Sequence, residues 1–172
     1  MVMALLSASG CGGSFDGHPG GLGMFVREAI FLSEGSAVDL LMDDHGGLCD
    51  AIFEGHVLPD ATIFDVFFSD RATMDTLQPG SYPVEIGNTT DPRVIEDARI
   101  LKTGANCREA QSVVAQGGGA MVTKFFPLPS SGVLRGSFDI TFAPDGARAT
   151  GTFDARFCQG SIGEWLRSTG CP

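Results

Sequence analysis

Gly136-Ser137-Phe138-Asp139-Ile140-Thr141-Phe142 is echoed fifteen residues on by Gly151-Thr152-Phe153-Asp154-Ala155-Arg156-Phe157. Both stretches alternate with a period of two, the pattern of a strand with one face on a core and the other in water. Between them lies Pro144-Asp145-Gly146-Ala147, and Asp-Gly is the preferred pair of a two-residue type I′ turn. With Asp145-Gly146 as the loop, Phe142 should oppose Ala149, Ile140 should oppose Gly151, and Phe138 should oppose Phe153. The apolar residues then share one face, and Ser137, Asp139, Thr141, Thr152 and Asp154 share the other. A one-residue slip would mix the two sets, so the face assignment is strongly specified. Gly151 opposite Ile140 would leave room for a neighbouring side chain.

Outward from this hairpin, short apolar runs alternate with turn signals. Strands are expected over 24–32, 37–42, 62–68, 82–86 and 120–126, the fourth after Gln78-Pro79-Gly80-Ser81 and the fifth before the break at 127–132. Residues 91–103 are ambiguous. Asp91-Pro92 and the spacing of Val94, Ile95, Ala98 and Leu101 suit a helix, whereas the surrounding pattern favours a strand, and the context tips the balance to strand. Residues 47–53 suggest a short helical turn. Ser161-Ile162-Gly163-Glu164 has the form of a capping box ahead of Trp165 and Leu166, which predicts a short C-terminal helix. Gly117-Gly118-Gly119 lacks the following Lys-Ser/Thr of a phosphate loop and is expected to be a turn. Together these features predict an all-β fold: an antiparallel β-sandwich, or an open barrel, of about eight short strands with one or two short helices.

The chain has 172 residues, 24 of them Gly, and its apolar content is carried by 13 Phe with one Trp and one Tyr. That length suits one domain with a proper core. The formal net charge is −10. Phosphate backbones repel such a chain and no Lys/Arg cluster offsets this locally, so nucleic acid is an unsuitable partner. No run of apolar residues is long enough to span a bilayer as a helix.

At the N-terminus, Met1-Val2-Met3-Ala4-Leu5-Leu6-Ser7-Ala8-Ser9-Gly10 is uncharged and ends in small residues before Cys11. That shape is expected of a secretory signal over 1–10, shortened at its start and lacking the usual Lys or Arg. Residues 11–23 are glycine-rich and read as a flexible tether, leaving 24–172 as the β domain. Cys49, Cys107, Cys158 and Cys171 form an even set, which in an exported chain implies two disulfides with three possible connectivities. The expected pairing is Cys158–Cys171, by proximity in sequence, with Cys49–Cys107 as the remainder.

Candidate sites are few. Asp43-Asp44-His45 with Asp50 is the densest group of potential metal ligands, and its carboxylates could hold calcium through hard oxygen contacts. The spacing matches no EF-hand, and a plain acidic turn is the simpler reading. His18, His45 and His56 have no HExxH spacing, and no G-x-S-x-G elbow is present. Glu96-Asp97 are adjacent and would point to opposite faces of a strand. Asn88-Thr89-Thr90 fits a glycosylation pattern that an exported bacterial protein would not normally use.

Ala8-Ser9-Gly10-Cys11 resembles a bacterial lipobox, and Pro79-Gly80-Ser81-Tyr82, Gly132-Val133 and the two Gly-Ser/Thr-Phe-Asp strands resemble small Gram-negative lipoproteins with a single β domain. That resemblance implies acylation of Cys11, an exported β-sandwich, and attachment to the outer membrane, favoured by Gly12 rather than Asp at the next position. It implies no activity. Three functions follow as expectations. The first is a non-enzymatic, lipid-anchored module that contacts an envelope protein or glycan through loops at 42–47 and 88–92. The second is a calcium-dependent module using Asp43, Asp44 and Asp50. The third is a hydrolase with a dispersed carboxylate/His site.

Overall fold

The computed structural model describes residues 12–73, 76–85, 90–129, 131–160 and 171. Nine strands and one short helix follow in order: β1 Gly12–Asp16, β2 Glu28–Glu34, β3 Ala37–Asp43, α1 Leu48–Phe53, β4 Thr62–Asp70, β5 Gly80–Pro83, β6 Arg93–Thr103, β7 Glu109–Phe126, β8 Val133–Phe142 and β9 Ala147–Phe157. The chain is all-β, as its alternation required. The sheet is neither a sandwich nor open, however. β2-β3-β4-β6-β7-β8-β9 close on themselves as a seven-stranded barrel, with β1 added beside β9 and β5 beside β7. Six of the seven joints are antiparallel, and the closing one, β2 against β9, is parallel through Ile30–Arg156 and Phe31–Phe157. Closure gives each of the seven barrel strands a partner on both sides, although the closing joint is short.

β7 makes closure possible. Its first half pairs with β6 and its second half pairs with β5 on that side, while β8 follows it along the other. The register shifts between Ala115 and Gly117, where the three glycines lie. These glycines do not form the expected turn. They sit mid-strand, and Gly118 has φ +91° with the Asp139 carbonyl where a Cβ would be. A bulge of this kind bends a strand and increases its twist, so one long strand serves two neighbours.

The hairpin forms with a different register. Phe142 opposes Ala147, Ile140 opposes Ala149, Phe138 opposes Gly151 and Gly136 opposes Phe153. The loop therefore has four residues, 143–146, rather than two, a shift of two positions. Because side chains repeat every second residue, each keeps its expected face: Phe138, Ile140, Phe142, Phe153 and Ala155 are buried, whereas Ser137, Asp139 and Thr152 are exposed. The bare backbone at Gly151 makes room for the Phe138 ring, not for a neighbour of Ile140.

The supposed tether is also revised. Residues 12–16 form β1, paired with β9 from Gly12–Asp154 to Asp16–Thr150. Phe15 supplies the driving force, turning its ring onto the core 5.3 Å from Phe64 and 5.7 Å from Phe138. β2 begins at Glu28 rather than at 24, β5 is shorter than expected, and β7 is longer. The ambiguous segment at 91–103 is strand β6, and α1 forms where a helical turn was expected. The C-terminal helix around Trp165, Cys11, and Asn88-Thr89 lie outside the described residues.

Two cores result. The barrel interior is filled by rings, with Phe64 at 4.7 Å from Phe138 and 6.3 Å from Phe142, and Phe68 at 5.5 Å from Tyr82. Outside β2–β4 a second cluster gathers Ile30, Leu32, Leu41, Leu48, Ile52, Ile63, Leu101 and Cys158. Strands buried on both faces need continuous apolar runs, which is why Ala29-Ile30-Phe31-Leu32 does not alternate. The disulfides follow from this packing and correct the expected pairing: Cys49 joins Cys158 and Cys107 joins Cys171, with Cα–Cα separations of 5.6 and 5.4 Å. Cys49 rides on α1, which lies over the second core beside the end of β9. Proximity in sequence was the wrong guide.

Candidate functional site

The acidic turn after β3 is committed to its own backbone. Asp43 is buried, and its Oδ1 accepts from the His45 amide at 2.8 Å and from the Gly46 amide. Asp44 Oδ1 accepts from the Thr62 amide at 2.8 Å and contacts His45 Nδ1 at 2.9 Å. Burial pushes the Asp43 carboxyl up, with backbone hydrogen bonds opposing it and the charges of Glu28 and Asp44 adding to it. Burial also acts to raise Asp44, but the His45 and Thr62 hydrogen bonds outweigh it and hold that carboxyl below its usual range. Asp50 stands exposed on α1. Among the described residues, no three His, Cys, Asp or Glu side chains gather as metal ligands. The turn connects β3 to α1, and it leaves Asp43 Oδ2 buried without a hydrogen-bond partner among the described residues. His18 is exposed and His56 half-buried, and only His45 has a carboxylate partner among the described contacts.

Two buried polar groups escaped the sequence reading. On the outer face of β3, β4 and β6, Asp65 pairs with Arg99 at 3.0 Å and hydrogen-bonds Asp39. Burial first, then the neighbouring Asp39, drive the Asp65 carboxyl well above the usual carboxylate range, against the pull of Arg99. With Asp39 and Asp65 only 3% and 5% exposed, this pair is closed to a substrate. The second group is Tyr82, whose hydroxyl donates to the Gln78 carbonyl at 2.6 Å and lies 3.3 Å from Asp70 Oδ2. Burial and the Asp70 charge push its phenol up to about 12, and Arg93 Nε pairs with Asp70 at 3.1 Å. This network fastens β5 to β4 and β6. The signal for the first was present as single charges inside apolar runs, Val38-Asp39-Leu40 and Phe64-Asp65-Val66.

The open concave surface lies elsewhere, on the outer face of β1-β9-β8-β7-β5. One depression of about 490 Å³ runs over β5, β7 and β8 between Ser81, Gly119, Met121 and Thr141. A second, of about 540 Å³, runs over β1, β9, β8 and β7 between Gly12, Thr123 and Thr152. Ser137 lines both, so they form one trough crossing five strands. Its polar groups alternate outward for the same reason that the Phe side chains alternate inward. Where the hairpin's outward residues have no bulk and Gly119 and Gly136 supply bare backbone, the surface sinks.

The trough is bordered by two ion pairs. Arg148 grips Asp139 with both a Nε contact at 2.6 Å and an NH2 contact, and Arg135 Nε meets Asp154 at 2.9 Å. The Arg148 hydrogen bonds hold the Asp139 carboxyl below its usual range. Ser14 and Thr152 share a hydroxyl contact at 3.0 Å on the floor. The arrangement offers hydroxyls, exposed strand backbone and fixed charges in a shallow cleft. It suits reversible contact with a polar, extended ligand. Sequence alternation places Ser137, Asp139, Thr141, Thr152 and Asp154 on the wet face of one hairpin. β7 continues that face, and β1 and β5 widen it through long-range pairings that no local pattern encodes. Compared with family models, curated proteins and solved structures, the chain matches none, so its function rests on this geometry.

Proposed function

We propose that the protein is an exported, non-enzymatic binding module, held at the bacterial outer membrane by acylation of Cys11, that takes a glycan in the trough across β1-β9-β8-β7-β5. The observation that carries the reading is the trough itself. It is shallow and bordered by the Arg148–Asp139 and Arg135–Asp154 pairs, and its floor sets hydroxyls and glycine backbone beside Pro83, Met121, Phe138 and Phe153. Such a surface matches a hydroxyl-rich chain better than an apolar molecule, which needs an enclosed pocket.

Two disulfides support an oxidising compartment. Several acyl chains on one cysteine would hold the protein stably, since each buried CH₂ contributes about 0.8 kcal/mol and a single chain binds only marginally. The acidic turn at 42–47 remains part of the scaffold in this reading. The test is binding of the native protein to an array of bacterial envelope glycans, repeated with Ser137→Tyr, which places a ring where the two depressions meet. Retention of a glycan by the native chain and its loss in the variant is the expected result. Equal binding by both, or binding by neither, overturns the assignment.

A further inference from the structure

We infer that the β7–β8 loop is a membrane-dipping element that enters the lipid interface beside the anchor. The inference rests on the acylation of Cys11 proposed above. Its first ground is that no slack separates anchor and barrel. Cys11 directly precedes β1, and Gly12 is already paired with Asp154 of β9. Asp154 is paired with Arg135 of β8, and Arg135 with Lys124 of β7. Gly12 and Lys124 thus stand on one row of the sheet, three strand spacings or about 14 Å apart. Lipid chains on Cys11 would bring that row to the bilayer surface.

The second ground is what stands next on β7. Phe126-Pro127-Leu128-Pro129 are four successive exposed apolar residues, with Phe126 and Leu128 each 47% exposed. The base beneath them is firm. The Phe125 ring is half-buried 5.6 Å from Phe31, whose ring lies 5.5 Å from Phe157. The Phe157 amide donates to the Gly132 carbonyl at 3.2 Å, closing the far side of the loop. The two prolines restrict the backbone before any lipid arrives, so less order has to be imposed on insertion.

Charge decides the occupant. The chain as a whole is acidic, yet Lys124 stands exposed at the foot of this loop, and the ion-paired Arg135 lies next to it. A cation below an apolar tip is the order met on crossing from headgroups to acyl chains. Two side chains and two prolines are also far less than the roughly 800 Å² per partner that a specific protein interface needs. The β8–β9 turn at 143–146 gives the contrast: it lies at the end of β8 away from this loop, so the same orientation keeps the exposed Asp145 in water.

The experiment uses the acylated full-length protein with Leu128→Cys, and in parallel Phe126→Cys or Asp145→Cys, each labelled with an environment-sensitive fluorophore. With Cys11 acylated and four cysteines in disulfides, the new thiol is the one available for labelling. The protein is placed in phosphatidylethanolamine/phosphatidylglycerol vesicles carrying spin-labelled lipid. Probes at 128 and 126 should shift to the blue and be quenched by the labelled lipid, whereas the probe at 145 should do neither. Vesicle-bound protein whose 126 and 128 probes remain in water overturns this inference and leaves the anchor intact. Probes shielded equally without lipid indicate a second copy or a protein partner, and overturn it as well. A mature chain without acyl mass that fails to float with vesicles overturns the anchor and this inference together.

Discussion

Removing one staple tests the way the barrel and its outer helix are joined. Cys49→Ala with Cys158→Ala opens a loop whose ends are 109 residues apart. On the chain-entropy relation this releases about 4.8 kcal/mol of denatured-state constraint. The pairing expected from sequence would have enclosed only about a dozen residues at Cys158, worth about 3 kcal/mol on the same relation. For a domain of this size each kcal/mol corresponds to roughly 2–4 °C, so the double variant should melt roughly 10–19 °C lower. Local consequences should exceed the global one. α1 has only six residues, too few to persist alone, and its buried Leu48 and Ile52 cover Ile30 and Leu41 of the barrel wall. Thermal unfolding by circular dichroism gives the shift, and limited proteolysis around 47–55 should become fast well below the melt. A midpoint within 3 °C of the parent, or a non-reducing digest that links the Cys49 peptide to the Cys107 peptide, would refute the reasoning.

The Asp65 pair makes a pH prediction. Its folded-state value lies above the unfolded one near 3.8, so the folded protein holds a proton that the unfolded chain releases. That contribution is complete at low pH and is lost as pH rises through the raised value, and Asp43 acts in the same sense. Asp65→Asn should therefore flatten the fall of unfolding free energy between pH 4 and pH 8 in urea titrations; an unchanged slope would dispose of the argument. Gly151→Ala places a methyl group against the Ser14 carbonyl and the Phe138 ring. A loss of about 1–3 kcal/mol is expected from the forced shift of β1 and Phe138, and a denaturant midpoint equal to the parent's would show that the sheet has room there.

What could be read from the residues was governed by local periodicity. Alternation at 136–142 and 151–157 fixed which side chains face inward, and that survived a register error of two because the pleat repeats every two residues. The Asp-Gly pair misled on loop length, since Pro144 and Asp145 both fell within a four-residue turn. Gly117-Gly118-Gly119 was ambiguous by nature. Glycine marks a turn or a bulge equally well, and only the partners on either side of β7 distinguish them. Phe15 was the overlooked clue in the supposed tether, because one aromatic among glycines is enough to seat a short edge strand. Candidate ligands were legible as Asp43, Asp44 and Asp50, but Asp43 Oδ1 and Asp44 Oδ1 hold backbone amides of the turn and of β4, and Asp50 stands apart on α1.

The all-β class, the inward and outward faces of the 136–157 hairpin, the acidic balance and the presence of a cysteine framework belong to the sequence alone, because each depends on neighbours within a few residues or on composition. Barrel closure, the parallel β2–β9 joint, the pairing of the cysteines and the trough across five strands were decided only by tertiary structure. Those features join residues as far apart in the chain as Gly12 and Asp154, which pair across β1 and β9. Contacts at such separations are selected by how the whole core packs, and no short stretch of the chain encodes them.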